Sequence, residues 1–258
     1  GLDESADSRD LVLHLRSMDP VVIGIDDLHR LMLREVGGYE GLRWMLGIFQ
    51  ATAHRHFWVT SLHQHTWSFL FGAAAPINMD VFRAAVRIGR LSSEEMASWI
   101  KGRSEAAGIS LGFSSLASEA SDDPRTLNRI ETAYWRLLRD ESGGNPAVAE
   151  AYFLASLCSG GPGKADILLF DAPEESRLEE ITDAEVFTLS ALLIHDGLSV
   201  ELLERVLGIS KDELRSACRH LIGLEIIERS EKGYVVRMPW QPVVARFLQQ
   251  NRLLYAAG

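Results

Sequence analysis

The chain has 258 residues, 47% of them apolar and 24% charged, enough for one large domain or two to three small ones with ordinary cores. Its formal net charge of −10 disfavours a bulk binder of nucleic acid or anionic membrane, since such proteins gain affinity by neutralising phosphates with Lys and Arg. No apolar run approaches the roughly 20 residues needed to span a bilayer, no signal peptide is recognisable, and Cys158 and Cys218 are too few for a disulfide scaffold or a Cys-based zinc site, so a reducing cytoplasm is expected.

The first predicted element is the apolar run Pro20-Val21-Val22-Ile23-Gly24-Ile25, which reads as a buried parallel strand and ends abruptly in Asp26 and Asp27. In an open α/β sheet ligands bind beyond the carboxyl ends of the strands, where an acid can hold hydrated Mg²⁺ against a triphosphate. Within Leu31 to Ala53, the residues Leu42, Met45, Leu46 and Phe49 follow the i, i+3, i+4, i+7 pattern of an amphipathic helix. His56-Phe57-Trp58-Val59-Thr60-Ser61 is a second short strand ending in two hydroxyls, so strand, helix and strand make a right-handed βαβ unit. Four histidines, His54, His56, His63 and His65, invite a metal reading. They lie in pairs at opposite ends of this strand, and the extended chain from His56 to His63 spans roughly 23 Å, too far for one coordination sphere.

A composition change after Gly72-Ala73-Ala74-Ala75-Pro76 opens a region that reads as helical. Arg87 and Arg90 stand at its entrance, Ser92-Ser93-Glu94-Glu95 starts a helix through Arg103, and Asp122-Asp123-Pro124 starts a longer one through Arg139. In Glu141-Ser142-Gly143-Gly144-Asn145-Pro146-Ala147, Asn as N-cap and Pro at the first helical position start another. The run Ser159-Gly160-Gly161-Pro162-Gly163-Lys164-Ala165 contains a Gly-Lys pair, yet a phosphate-binding loop would need Gly in place of Cys158 and a hydroxyl in place of Ala165. It also runs into Ile167-Leu168-Leu169-Phe170 and not into a helix, so it reads as the start of a linker.

From Thr182 the pattern predicts three short helices and a hairpin, the layout of a winged helix-turn-helix. Thr182-Asp183-Ala184-Glu185 resembles a capping box, Ser199 to Leu207 is the second helix, and Ser210-Lys211-Asp212-Glu213 caps a third that runs to about Leu224. Ile226 to Arg229 and Tyr234 to Arg237 flank the turn Ser230-Glu231-Lys232-Gly233. On the third helix Lys211, Arg215 and Arg219 are offset by Asp212, Glu213 and Glu225, which favours a protein-contacting or structural role over reading DNA. Trp44, Trp58, Trp67, Trp99 and Trp135 are expected in cores, and Trp240 at the end of the wing.

In their order, these motifs resemble the C-terminal portion of a P-loop ATPase of the STAND/AAA+ type: Walker B strand, sensor strand, helical lid and winged helix. The resemblance implies an α/β remnant of a P-loop parallel sheet over 1–78, an all-α lid over 79–160, a linker over 161–181 and a winged-helix domain over 182–258. It gives Asp26 the Mg²⁺ role through water, Asp27 the polarising of the attacking water, and Thr60 and Ser61 the sensing of the γ-phosphate. Gly144, Asn145 and Pro146 become the lid turn beside the adenine, and Arg87 and Arg90 phosphate sensors. The family usually places Glu where Asp27 stands, and the shorter acid fits a slow switch better than a motor; at the sensor turn it often has Arg where Leu62 stands. No G-x-x-x-x-G-K-[ST] loop lies within Gly1 to Asp19. ATP and Mg²⁺ are therefore expected to bind only together with an upstream P-loop, this chain by itself being inactive. The expected partners are upstream domains of the same protein, a protein partner or a second copy, with nucleic acid and direct membrane insertion disfavoured. The rivals are a winged-helix nucleic-acid regulator and a nucleotide-free interaction scaffold.

Overall fold

The computed structural model describes residues 4–72, 77, 79–117 and 123–255, which form a mixed α/β protein of ten α-helices and three small sheets with no closed barrel. They fall into two compact units, one made of Gly1–Val86, Ile181–Val236 and Leu248–Gly258, the other of Arg87–Glu180 and Arg237–Phe247. No helix among the described residues is long and apolar enough to cross a membrane.

The first unit begins with α1 (Glu4–Ser17), β1 (Val22–Ile25), α2 (Glu40–Thr52), β2 (Phe57–Thr60) and α3 (Gln64–Gly72). As expected, β1 and β2 pair in parallel, with Ile25 opposite Thr60. The intervening helix contains the whole apolar spacing, Leu42 to Phe49, but is shorter than the span from Leu31 to Ala53. After a single 3-10 turn at Leu28–Leu31 the chain makes a tight loop in which the Leu33 N–H donates to the Gly38 carbonyl at 2.7 Å. A Cβ on Gly38 would stand 2.3 Å from the Leu33 oxygen, so the loop demands glycine there. From Glu40 on, α2 buries Leu42, Leu46, Ile48 and Phe49, and the Phe49 ring lies 4.6 Å from that of Trp58 on β2. This apolar stripe covers one face of the strand pair.

The opposite face is open, and here the expectation of a buried strand needs correction. Val22, Gly24, Phe57 and Val59 alternate onto it in register, with Val22 71%, Phe57 67% and Val59 50% exposed. The apolar run did specify a parallel strand, but not one buried on both faces. Residues 73–76, the run that precedes the expected boundary between 78 and 79, lie outside the described residues, as does Asp122.

The second unit contains α4 (Ser93–Ala106), α5 (Pro124–Glu141) and α6 (Pro146–Ala155), each with the start that local chemistry predicts. Ser92 and Glu95 form a reciprocal capping box, with N–H to side-chain distances of 2.8 and 3.2 Å. Asp123 and Asn145 cap the other two, each followed by Pro at the first helical position. The region is not all-α, however. β3 (Ser110–Gly112), β4 (Leu157–Ser159) and β5 (Lys164–Ile167) form a sheet with β5 in the middle, parallel to β3 and antiparallel to β4. Part of the expected linker is thus core: Ala165 and Ile167 point inward and are buried while Lys164 and Asp166 alternate outward. The Gly-rich run around Gly161 and Gly163, both at positive φ, is the turn between β4 and β5, a strand-turn-strand with no helix after it. Met96, Ile100, Tyr134, Trp135, Leu138, Tyr152, Phe153 and Phe170 pack around it.

The chain then returns to the first unit with α7 (Asp183–His195), α8 (Val200–Leu207), α9 (Lys211–Gly223) and the hairpin of β6 (Ile227–Ser230) and β7 (Gly233–Val236). These elements fall in the same compact unit as the α/β segment. α7 opens with the expected capping box between Thr182 and Glu185. It is apolar nearly all round, burying Leu189, Leu192, Leu193 and Ile194, and the buried Thr66 hydroxyl of α3 donates to the Ile194 carbonyl. Arg205 of α8 donates to Glu35 at 3.0 Å, and Ser190 to the Leu253 carbonyl at 3.0 Å. α10 (Gln241–Gln250) is the last helix among the described residues. Trp240 is buried and belongs to the second unit, where the neighbouring Pro239 carbonyl accepts from the Tyr152 hydroxyl at 2.7 Å. Trp135 is buried, and Trp44, Trp58, Trp67 and Trp99 are half-buried.

Candidate functional site

Polar groups gather where β1 and β2 end. The Asp26 carboxylate is exposed, and its Oδ1 accepts from the Ser61 hydroxyl. The same hydroxyl accepts from the Asp27 N–H at 2.9 Å, while the Leu28 N–H donates to the Ser61 carbonyl at 3.0 Å. Thr60 pairs with Ile25 one step earlier, so the residue that meets the carboxylate is Ser61. Asp27 stands at φ 56°, ψ 42°, a left-handed conformation that Asp tolerates better than most residues because its short side chain bonds locally. An acid at a strand-to-helix turn is ordinarily an N-cap, but Asp27 makes no capping bond. Its Oδ2 accepts instead from Arg30 Nε at 2.9 Å. Burial alone would raise the Asp27 pKa, but the Arg30 hydrogen bond, with the positive charges of Arg30 and Lys232 nearby, outweighs it and holds the group below the usual carboxylate value.

Behind Asp27 lies a cluster that the sequence did not announce. His29 is 2% exposed, with Nδ1 3.9 Å from Asp27 Oδ1 and accepting from the His63 N–H at 3.3 Å. Its Nε2 is buried with no hydrogen-bond partner among the described residues. Burial pushes the pKa of His29 down and keeps the ring neutral, and the same holds for His63, whose ring centroid is 5.9 Å away. Asp196, also left-handed at φ 53°, ends α7 and accepts from Lys232 Nζ of the hairpin. One donor atom from each of Asp27, His29 and Asp196 lies within 4.8 Å of the other two. His195 is 7% exposed, and burial pushes it down to about 4, with Arg34 and His29 adding to the effect.

The histidines at the second strand lie at its opposite ends, as expected. His56 is buried at the start of β2, with Nε2 2.6 Å from the Leu15 carbonyl oxygen and Nδ1 accepting from the Val21 N–H at 3.3 Å. His63 and His65, beyond the strand's other end, gather with His29, which the sequence reading leaves out. His29 was within reach of inspection, two residues after Asp27. Asp196 and Lys232 join only through tertiary packing, for which no local signal exists.

In the second unit, Gly143 (φ 59°), Gly144 (φ 74°), Asn145 and Pro146 form the turn into α6. Arg90 packs against it: the Leu91 N–H donates to the Gly144 carbonyl at 2.9 Å, and a Cβ on Gly144 would stand 2.7 Å from the Arg90 Cβ. Arg87 belongs to the same unit. The candidate residues thus form two sets, Asp26, Asp27, Thr60 and Ser61 in one unit and Arg87, Arg90, Gly144, Asn145 and Pro146 in the other. No protein-family model matches the chain, and no curated protein matches it.

Proposed function

We propose that the chain is part of a nucleotide-controlled ATPase switch of the STAND/AAA+ type, contributing the Walker B and sensor strands, the lid and a winged helix. The observation that carries this proposal is the parallel pair β1–β2, ending in Asp26 hydrogen-bonded to Ser61 and bearing an uncovered apolar face of Val22, Phe57 and Val59. Parallel sheets are covered on both faces in α/β proteins. A Cβ on Gly24 would meet nothing within 4 Å, so that face has room for a close-packed cover. The further strands and helices of a P-loop core, carrying the phosphate-binding loop, are its cover in this proposal.

The residues at the strand ends fit the implied Mg²⁺ and ATP. Asp26 offers an exposed carboxylate whose orientation is fixed by the Ser61 hydroxyl, the donor type that holds a hydrated Mg²⁺. When bound, that ion neutralises charge on the β- and γ-phosphates. Asp27, ionised and clamped by Arg30, polarises water but accepts a proton poorly, which suits slow hydrolysis. Arg90 and the Gly144-Asn145-Pro146 turn supply the lid side, and α7 to β7 the winged helix, working through protein contacts.

A fluorescent-nucleotide titration tests this on two samples, the 258-residue chain and the full translation product of its gene. Weak binding to the chain and tight, Mg²⁺-dependent binding to the full product, weakened by Asp26→Asn, are expected. Nucleotide affinity of the full product that ignores both Mg²⁺ and Asp26→Asn would remove the proposal.

A further inference from the structure

We propose that Asp27, His29 and Asp196 form a binding site for a divalent transition-metal ion of the Zn²⁺ class. Two carboxylates and one imidazole converge from two distant parts of the first unit, their donor atoms all within 4.8 Å of one another. Tetrahedral coordination with bonds of about 2.1 Å sets donors about 3.4 Å apart. The 3.9 Å from His29 Nδ1 to Asp27 Oδ1 already approaches this.

One nitrogen of the cluster is weakly engaged. His29 is 2% exposed, and its Nδ1, which lies 3.9 Å from Asp27 Oδ1, accepts a single long bond, at 3.3 Å, from the His63 N–H. An ion at Nδ1 would take over the lone pair that this weak bond now uses. The two carboxylates are one-third exposed, at 37% and 29%, so an ion can reach them. Each already holds one internal cation, Arg30 on Asp27 and Lys232 on Asp196, and each of those bonds uses Oδ2. The Oδ1 atoms remain for the ion. His63, with a buried Nδ1 that lacks a hydrogen-bond partner among the described residues, borders the site beside His29. A bound ion would tie the β1 end to the end of α7, joining the strand pair to the helices that follow it. Mixed nitrogen and oxygen donors favour Zn²⁺ over Mn²⁺ and both over Mg²⁺.

The test is calorimetric titration of the chain, without nucleotide, with Zn²⁺, Mn²⁺ and Mg²⁺ in separate runs, together with the visible absorption of bound Co²⁺. One Zn²⁺ per chain is expected at this site, bound more tightly than Mn²⁺, with Mg²⁺ weakest. Asp196→Asn and His29→Gln should each weaken Zn²⁺ at least tenfold and abolish the tetrahedral Co²⁺ spectrum. Lys232→Ala should tighten Zn²⁺ several-fold by removing a competing cation. Asn accepts the left-handed conformation, so Asp196→Asn and, should His29→Gln fail to fold, Asp27→Asn keep the test open. Zn²⁺ affinity unchanged in Asp196→Asn, Mg²⁺ binding equal to Zn²⁺, or no Zn²⁺ bound would each overturn the proposal. Because no nucleotide is present, these outcomes leave the ATPase proposal untouched, and its failure would leave this site standing.

Discussion

His195 makes the first unit acid-sensitive in a calculable way. Packed at the end of α7 with only 7% of its surface exposed, it is neutral in the folded protein, its pKa pushed down to about 4 from the ordinary 6.5 by burial, with Arg34 and His29 adding. The unfolded chain binds a proton at this residue more readily than the folded one as pH falls below 6.5. Stability is therefore full above that value, declines as pH falls from 6.5 toward the folded pKa near 4, and levels off below it. The linkage relation gives a loss of about 2 kcal/mol between pH 7 and pH 5, approaching about 3 kcal/mol below pH 4. Burial lowers His29 and His63 in the same direction, so the whole protein should lose more than this single share. The share belonging to His195 is isolated by His195→Gln, which does not titrate in this range and can still donate to the Met32 backbone that His195 contacts. Urea unfolding of both proteins at pH 7 and pH 5 should show the variant losing about 2 kcal/mol less than wild type on acidification. An equal loss in the two proteins would mean that His195 is not buried neutral, and the packing of α7 described here would be wrong.

Three other substitutions probe the scaffold. Thr182→Ala removes one half of the capping box of α7, which the Glu185 carboxylate completes at 2.7 Å, and should lower stability by about 1 kcal/mol in thermal unfolding. Gly144→Ala meets both a positive φ and a backbone oxygen, the Leu91 carbonyl, at 2.9 Å, so a loss of about 2 kcal/mol is expected in the same assay. Ser61→Ala frees the Asp26 carboxylate and leaves the Asp27 N–H without its side-chain acceptor, and should lower the thermal midpoint modestly, by about 1 kcal/mol of stability.

What could be read from the sequence was local. The capping boxes at Ser92 and Thr182, and the starts at Asp123-Pro124 and Asn145-Pro146, were legible because the residues that stop one backbone conformation and begin another are neighbours in sequence. The pairing of β1 with β2 was legible from two apolar runs separated by one amphipathic stripe. Ser110–Gly112 and Lys164–Ile167 were not, since strands of three and four residues have little periodicity and are defined by the partner they find. The burial of β1 was overestimated because an apolar run encodes what a strand can pack against and not whether a cover is there. In the candidate site, Asp26 and Ser61 were legible as residues ending adjacent strands. Asp196 and Lys232 reach Asp27 and His29 only because α7 and the hairpin pack within the same unit, a relation between segments with no signature in either.

The central claim, a nucleotide switch built on the end of β1, is tested most directly by splitting binding from turnover in the full translation product. Mg²⁺-ATP affinity and steady-state hydrolysis are measured side by side for wild type, Asp26→Asn and Asp27→Asn. A carboxylate that positions the metal is engaged in the ground state, whereas one that polarises water acts mainly in the transition state. Asp26→Asn should therefore weaken Mg²⁺-dependent ATP binding by about tenfold or more, and Asp27→Asn should cut turnover by a similar factor while leaving affinity nearly unchanged. Wild-type binding and turnover in both variants would contradict the claim and take these residues out of any nucleotide site.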